Sequence, residues 1–410
     1  MRRLILAGLL LVGASAIALW NDALSGLTEL TGVMSRWEQP TGAGQAQQAP
    51  VPAEAPQTPA LHPEVIPIEP GPVALPAESA SDGITKFSFI AYGDTRGQAD
   101  GIELQREHGR IIKAMIAAIK ARAGGEFPVR FIVQSGDGVT TGSEAIQWNV
   151  SFTPLIEQLL REGGVPYFLS VGNHDVTGRP VTDPQRLPGL RNTLKAMSKI
   201  YPPEGSARRL DGYPTYAFGY GHVFMIALDS NIRDDAVQLA WVTKQLEGLD
   251  RSRYRHVIAT FHHPVLTSGP HGGSIVEVQT EALRRVYMPL FRKHRVRLVI
   301  VGHDHLLEHW IERYSDETGS HRLDHVTTGG GGAPIYTYRG EPLLDEYIAA
   351  ALPIKVNIEH RVIPGPTVED NPHHFVIVEV DGDKLTFEVV GTGPTPYRPY
   401  GTERFELVDR

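Results

Sequence analysis

From Lys86 onward the chain alternates short apolar runs with stretches in which apolar residues recur every three or four positions. The runs Lys86–Tyr92, Val129–Gln134, Val165–Val171, Tyr216–Tyr220, His222–Leu228, His256–Phe261 and Arg297–Val301 predict strands. The stretches around 103–122, 143–161, 236–248 and 276–294 predict helices between them. After residue 305 the pattern is mostly strand, through Glu308–Tyr314, His321–Thr328, His374–Val380, Lys384–Val390 and Arg404–Val408. This order predicts an α/β (α+β) domain over 83–410, with a mixed sheet wrapped by helices and a second, more antiparallel sheet packed against it. The proline-rich stretch 177–216 predicts a lid or insertion, where substrate choice would reside.

The N-terminus has a different texture. Arg2 and Arg3 precede an uncharged apolar run from Leu4 to Trp20, which predicts a signal peptide or a membrane anchor over 1–20. The following stretch to residue 82 is rich in Pro, Ala and Gln and shows no hydrophobic period, so 21–82 is expected to be a largely disordered linker. Together they predict an exported protein, periplasmic or membrane-anchored, with its domain outside the cytoplasm.

Composition narrows the chemistry. The 410 residues are 41% hydrophobic, enough apolar material to exclude wholesale disorder. Cysteine is absent, which excludes disulfide scaffolds, thiolate metal sites and a cysteine nucleophile. The formal charge of -8 leaves no nucleic-acid footprint, so an anionic substrate must be drawn in locally, by metals or arginine. Neither a Walker lysine pattern nor a Gly-x-Ser-x-Gly elbow occurs.

Polar clusters follow five of the predicted strands. They are Gly93-Asp94, Gly136-Asp137, Gly172-Asn173-His174-Asp175, His262-His263-Pro264 and Gly302-His303-Asp304-His305. Ligands of open α/β sheets bind outside the carboxyl ends of strands, so the five clusters predict one convergent site there. Their oxygen and imidazole donors suit Zn, Fe or Mn. Two such ions about 3.5 to 4 Å apart activate water and clamp the oxygens of an in-line displacement at phosphorus. The chemistry expected is therefore the hydrolysis of a phosphate ester.

These blocks, in this order over residues 86 to 332, resemble the calcineurin-like metallophosphoesterase superfamily. The run Thr327-Thr328-Gly329-Gly330-Gly331-Gly332-Ala333-Pro334 resembles its purple-acid-phosphatase-like branch. The resemblance implies a four-layer αββα sandwich of two mixed sheets flanked by helices. It also implies two divalent or trivalent ions, Fe, Mn or Zn, bridged by Asp137, with Asp94 and His305 on one and Asn173, His262 and His303 on the other. His174 would meet the substrate as phosphoryl stabiliser or acid, with Asp175 orienting it. The substrate would be a small phosphorylated molecule, a phosphomonoester ahead of a diester.

The first block departs from the pattern. Arg96 stands where the larger group has a ligand histidine, and an arginine does not coordinate metal. Thr140 stands where purple acid phosphatases have a tyrosine. Arg96 would either face the substrate phosphate with its planar fork or hold its loop through an ion pair. His271 would touch substrate from a flexible loop or be a solvated loop residue, and His263 would lie behind its neighbour His262. The alternatives are a phosphodiesterase acting on nucleotides or envelope lipid headgroups, and a non-catalytic envelope protein that binds a phosphorylated ligand.

Overall fold

The strand β1 (Lys86–Tyr92) is buried from Phe87 onward on both faces, as a central strand covered on each side must be. It pairs in parallel with β2 (Val129–Gln134), which pairs in parallel with β3 (Tyr167–Leu169). The crossovers are α1 (Arg106–Arg122) and α2 (Thr153–Gly163). The helix predicted from 143 begins as a π-helical turn over Gln147–Phe152, and Pro154 falls in the first turn of α2, where no backbone N–H is needed. A further helix, α3 (Leu187–Ala196), follows, then β4 (Tyr216–Tyr220) and β5 (Val223–Ala227). After α4 (Ala236–Glu247) come β6 (His256–Thr260), α5 (Val278–Lys293) and β7 (Val296–Val301). The remaining strands are β8 (Leu307–Asp316), β9 (Gly319–Thr328), β10 (Asn357–Val362), β11 (His374–Asp381), β12 (Lys384–Gly391) and β13 (Arg404–Glu406).

They form two mixed sheets, one ordered β13-β12-β11-β1-β2-β3 and the other β10-β8-β9-β7-β6-β5-β4. In β5, Val223, Met225 and Ala227 join the hydrophobic cluster between the sheets, while Phe224 and Ile226 join the cluster under α4 and α5. This period of two is what a strand buried on both faces requires. Aromatic contacts join the sheets, with Phe168 stacked on Phe218 at 4.1 Å and Phe87 edge-on to Tyr220 at 4.9 Å. The four-layer sandwich implied by the resemblance is the architecture found, but both sheets are mixed and the late strands β11, β12 and β13 join β1, so the expectation of a second, more antiparallel sheet is corrected.

The computed structural model describes residues 64–177, 181–272, 277–341, 356–392 and 404–406, all within the unit Pro59–Arg410. The segment 1–20 and most of 21–82 lie outside the described residues. The end of the expected linker is a correction, because it folds onto the domain: Val65 and Ile68 are buried, and the Ile68 N–H donates to the Ala196 carbonyl at 2.9 Å. Two apolar side chains spaced for burial outweigh the polar, proline-rich surroundings there. No helix among the described residues is long and apolar enough to cross a membrane.

The stretch 177–216 is anchored rather than free over much of its described length. Arg186, beside the start of α3, is buried and paired with the buried Asp229 after β5. The sequence hid α3 behind prolines, yet Pro188 sits in its first turn, where the ring is tolerated. The edge strand β10 was also missed, since its half-exposed residues show no strong alternation.

Candidate metal centre

The five polar clusters lie just past the C-terminal ends of β1, β2, β3, β6 and β7. Asp94, Asp137 and His303 all take left-handed backbone angles, with φ of 61°, 54° and 70°. Each such non-glycine residue costs about 1–3 kcal/mol, and that cost persists where function fixes the conformation. Close packing explains two neighbouring glycines. A Cβ on Gly172 would lie 2.1 Å from Asp137 Oδ1, and one on Gly302 would lie 2.2 Å from Asp94 Oδ2.

Hydrogen bonds on the far side of each ring set the tautomers of the histidines. His262 Nδ1 lies 3.0 Å from the Ser135 carbonyl, which only accepts, so in the neutral ring Nδ1 carries the proton and Nε2 presents a lone pair. His303 Nε2 lies 3.4 Å from Glu277 Oε1, which leaves His303 Nδ1 as the other lone pair. Glu277 is a carboxylate there: half-burial opposes its charge, but hydrogen bonds from His271 and His303 hold it down at about 2.

His262 Nε2 then lies 3.0 Å from Asn173 Oδ1, 3.1 Å from His303 Nδ1 and 3.3 Å from Asp137 Oδ1. Asp137, Asn173 and His303 thus converge on His262 Nε2, an arrangement that a cation satisfies. Electrostatics agree. Burial opposes charge on His262, yet the facing Asp137 carboxylate pushes its pKa up to about 9, so without a metal a proton on Nε2 takes the cation's place. Burial likewise works against the Asp137 charge, but His262, His174 and Arg96 together hold that carboxyl well below its ordinary value. These four residues fit a metal ion, and it is His262 that faces Asp137 and Asn173. His263 points to the Ser230 hydroxyl at 2.8 Å, although its ring also lies 4.5 Å from that of His303. Among the described residues, two groups have donor atoms close enough to share an ion: Asp94, Asp137 and His262 in one, and His263, Glu277 and His303 in the other.

The donors expected for the other ion are differently engaged. His305 Nδ1 donates to the Pro334 carbonyl at 2.7 Å, so Nε2 is its lone pair. That lone pair accepts from Arg96 Nη2 at 3.4 Å, while Arg96 Nε donates to Asp137 Oδ2 at 3.3 Å. Asp94 Oδ1 lies 3.5 Å from His305 Nε2, and both Asp94 oxygens accept from the His303 backbone N–H, at 3.1 and 3.0 Å. With the guanidinium lodged between Asp137 and His305, this set does not fit a metal ion as it stands. Thr140 is turned away, its hydroxyl donating to the Gly97 carbonyl at 2.9 Å.

The expected pairing of His174 with Asp175 is corrected. His174 Nδ1 meets the Thr140 carbonyl at 2.7 Å, which leaves Nε2 4.0 Å from Asp137 Oδ2 on a side chain 31% exposed. The Asp175 carboxylate is buried and accepts from the amides of Gly138, Val139 and Gly172 at 2.9, 3.3 and 2.9 Å. A carbonyl therefore orients the imidazole, and Asp175 ties together the loops after β2 and β3. His271 stands at the rim, its ring 4.3 Å from that of His303 and its Nδ1 3.0 Å from Glu277 Oε1.

Two residues of the site were not singled out in the sequence. Glu277 precedes α5 at the N-cap position without making a capping bond, because its carboxylate serves the histidines instead. Tyr336, just past the glycine-rich run, stacks on His305 at 4.2 Å and 16°. An acid at a helix start was the available signal for Glu277, whereas nothing local marked Tyr336.

Carboxylates, an amide and imidazoles are gathered at strand ends between two sheets, a donor set suited to a divalent or trivalent metal ion. The chain belongs to the calcineurin-like phosphoesterase family, whose model matches residues 89–307. Purple acid phosphatase 4 of Arabidopsis thaliana is 25% identical over 257 residues, covering 60% of this chain and 68% of the relative. Tartrate-resistant acid phosphatase type 5 of Sus scrofa is 33% identical over 94 residues, covering 23% of each chain. Among solved structures, a purple acid phosphatase from yellow lupin (Lupinus luteus) seeds aligns with a TM-score of 0.54 at 18% identity, over 82% of this chain and 55% of that one. This last likeness concerns the fold.

Proposed function

We propose that this chain hydrolyses phosphate monoesters at a metal held by Asp137, Asn173, His262 and His303. The observation that carries the reading is the convergence of Asp137, Asn173 and His303 on His262 Nε2, with His174 4.0 Å from Asp137 at the mouth. A cation bound there supplies Lewis acidity and lowers the pKa of water. His174, held by the Thr140 carbonyl, positions Nε2 to receive or return a proton at the leaving oxygen. Monoesters are favoured because the relatives named above are acid phosphatases.

The test compares p-nitrophenyl phosphate with bis-p-nitrophenyl phosphate, using protein stripped of metal and reloaded with Mn2+, Zn2+ or Fe2+. Turnover of the monoester that requires metal and is lost in Asn173→Ala is expected. Metal-independent turnover, or equal turnover in Asn173→Ala, would overturn the assignment, and a preference for the diester would overturn the substrate class. The charged and apolar run Arg2–Trp20 supports export, with the domain outside the cytoplasm. A reporter fused after Trp20 that stays in the cytoplasm would contradict it.

A further inference from the structure

We infer that the Arg96 guanidinium is the resident second cation of this centre, so that the chain holds one metal ion, at Asp137, Asn173, His262 and His303, and none at Asp94 and His305. The inference rests on the function proposed above. Three observations lead to it.

First, Arg96 is built into the centre rather than lying across it. Its side chain is 19% exposed, its Nε reaches Asp137 Oδ2 and its Nη2 reaches His305 Nε2. An arginine does not lose its proton, so the lone pairs it meets are occupied by N–H groups under all ordinary conditions.

Second, the His305 ring is locked in the tautomer that makes it an acceptor from Arg96. The Pro334 carbonyl takes its Nδ1 proton, and the Tyr336 ring stacks on its face. His305 is thereby satisfied without a metal. His262 Nε2 and His303 Nδ1 face each other at 3.1 Å, beside Asp137 Oδ1 and Asn173 Oδ1, with no arginine or lysine reaching between them among the described contacts. The two halves of the centre thus differ in what they lack: one needs a cation and the other has one.

Third, the loop that carries Arg96 is fixed. Asp100 Oδ1 accepts from the Gly97 amide at 3.0 Å, and its Oδ2 accepts from the Thr140 amide at 2.9 Å. The Thr140 hydroxyl donates to the Gly97 carbonyl at 2.9 Å. Thr140 therefore serves the placement of Arg96 instead of offering a ligand. On its outer side Arg96 borders a cavity of about 470 Å3 that Gln98, Leu104, Arg106 and His373 also line. The guanidinium has five N–H groups; Asp137, His305 and the Tyr336 hydroxyl engage some of them, and those left over are available to a phosphoryl oxygen.

The experiment titrates the metal-stripped full-length chain with Mn2+, following heat and the electron paramagnetic resonance of the bound ion. One Mn2+ per wild-type chain is expected, with the spectrum of an isolated ion, and two per chain in Arg96→Ala, with an exchange-coupled spectrum. His305→Ala is measured alongside. It keeps one ion if His305 is no ligand, and this arm decides the matter should Arg96→Ala fail to fold. Two coupled ions in the wild type, a single ion in folded Arg96→Ala, or an ion lost in His305→Ala would each overturn the inference while leaving the phosphoesterase reading in place. No bound ion in the folded wild type would overturn both.

Discussion

Glu277 Oε1 lies 3.4 Å from His303 Nε2, on the side of the imidazole turned away from His262. A carboxylate in that place fixes the tautomer of a metal-ligating histidine and raises its basicity. Glu277 also receives His271 Nδ1 at 3.0 Å, so a single residue at the start of α5 organises two rings of the site.

Replacing Glu277 by glutamine removes the charge and keeps the shape. The expected outcome is metal affinity lower by about 10–100-fold, read by competition with a chromogenic chelator, with little change in the Tm of the metal-free protein. An unchanged metal Kd would show that Glu277 only decorates the rim.

His174 and Asp175 are neighbours with separable roles. His174→Ala is expected to lower kcat by about 10²–10⁴-fold with the Tm intact, since its ring is part-exposed and bonded only to the Thr140 carbonyl on its Nδ1 side. Asp175→Ala strands three buried amides, at about 1–3 kcal/mol for each group left unsatisfied, so it is expected to lower the Tm steeply. Thermal unfolding and steady-state kinetics of both variants check the division. Equal Tm values for Asp175→Ala and the wild type would refute the structural role.

The sequence revealed most of the frame because the apolar runs end where the polar clusters begin. Asp137 after β2, Asn173 after β3 and His303 after β7 were legible for that reason, their ligand chemistry following directly on a strand's period of two. The relations that decide the electrostatics were not legible, because they join distant residues. Asp175 meets amides near residue 138, and Arg96 meets His305 across 209 positions. Local pattern likewise could not show that Glu277 leaves its helix uncapped, or that Ile68 at the end of a polar linker is fully buried.

Three buried histidines make stability fall in acid. Burial pushes His108 down to about 3, and His256 and His374 down to about 4. Their stabilisation is complete above the unfolded pKa of about 6.5 and is lost as the pH falls toward 4, because the unfolded chain takes up protons that the folded chain refuses. Each costs about 2 kcal/mol at pH 5, from about 1.4 kcal/mol per pH unit. His108 sits between the Gln105 side-chain oxygen Oε1, 2.8 Å from Nδ1, and the Tyr92 hydroxyl, 3.2 Å from Nε2. His108→Gln is expected to flatten the fall in denaturant midpoint between pH 7 and 5 relative to wild type. Parallel curves for the two proteins would exclude His108 as a source of the acid limb.

The buried pair of Arg186 and Asp229 anchors the segment that leads into α3. The two side chains are 1% and 0% exposed, and Asp229 also accepts from the Asn231 amide at 2.9 Å. Taking away one partner leaves an uncompensated charge away from water, which typically costs about 3–5 kcal/mol, whereas replacing both with neutral groups of similar volume removes most of that penalty. Arg186→Met and Asp229→Asn are therefore each expected to destabilise the fold strongly, and the double variant to be more stable than the sum of the single effects by more than about 1 kcal/mol. Urea unfolding of the four proteins completes the cycle. Strict additivity would show that Arg186 and Asp229 act independently, and the segment 177–216 would then depend on α3's own buried face, Leu190, Thr193 and Ala196, for its attachment.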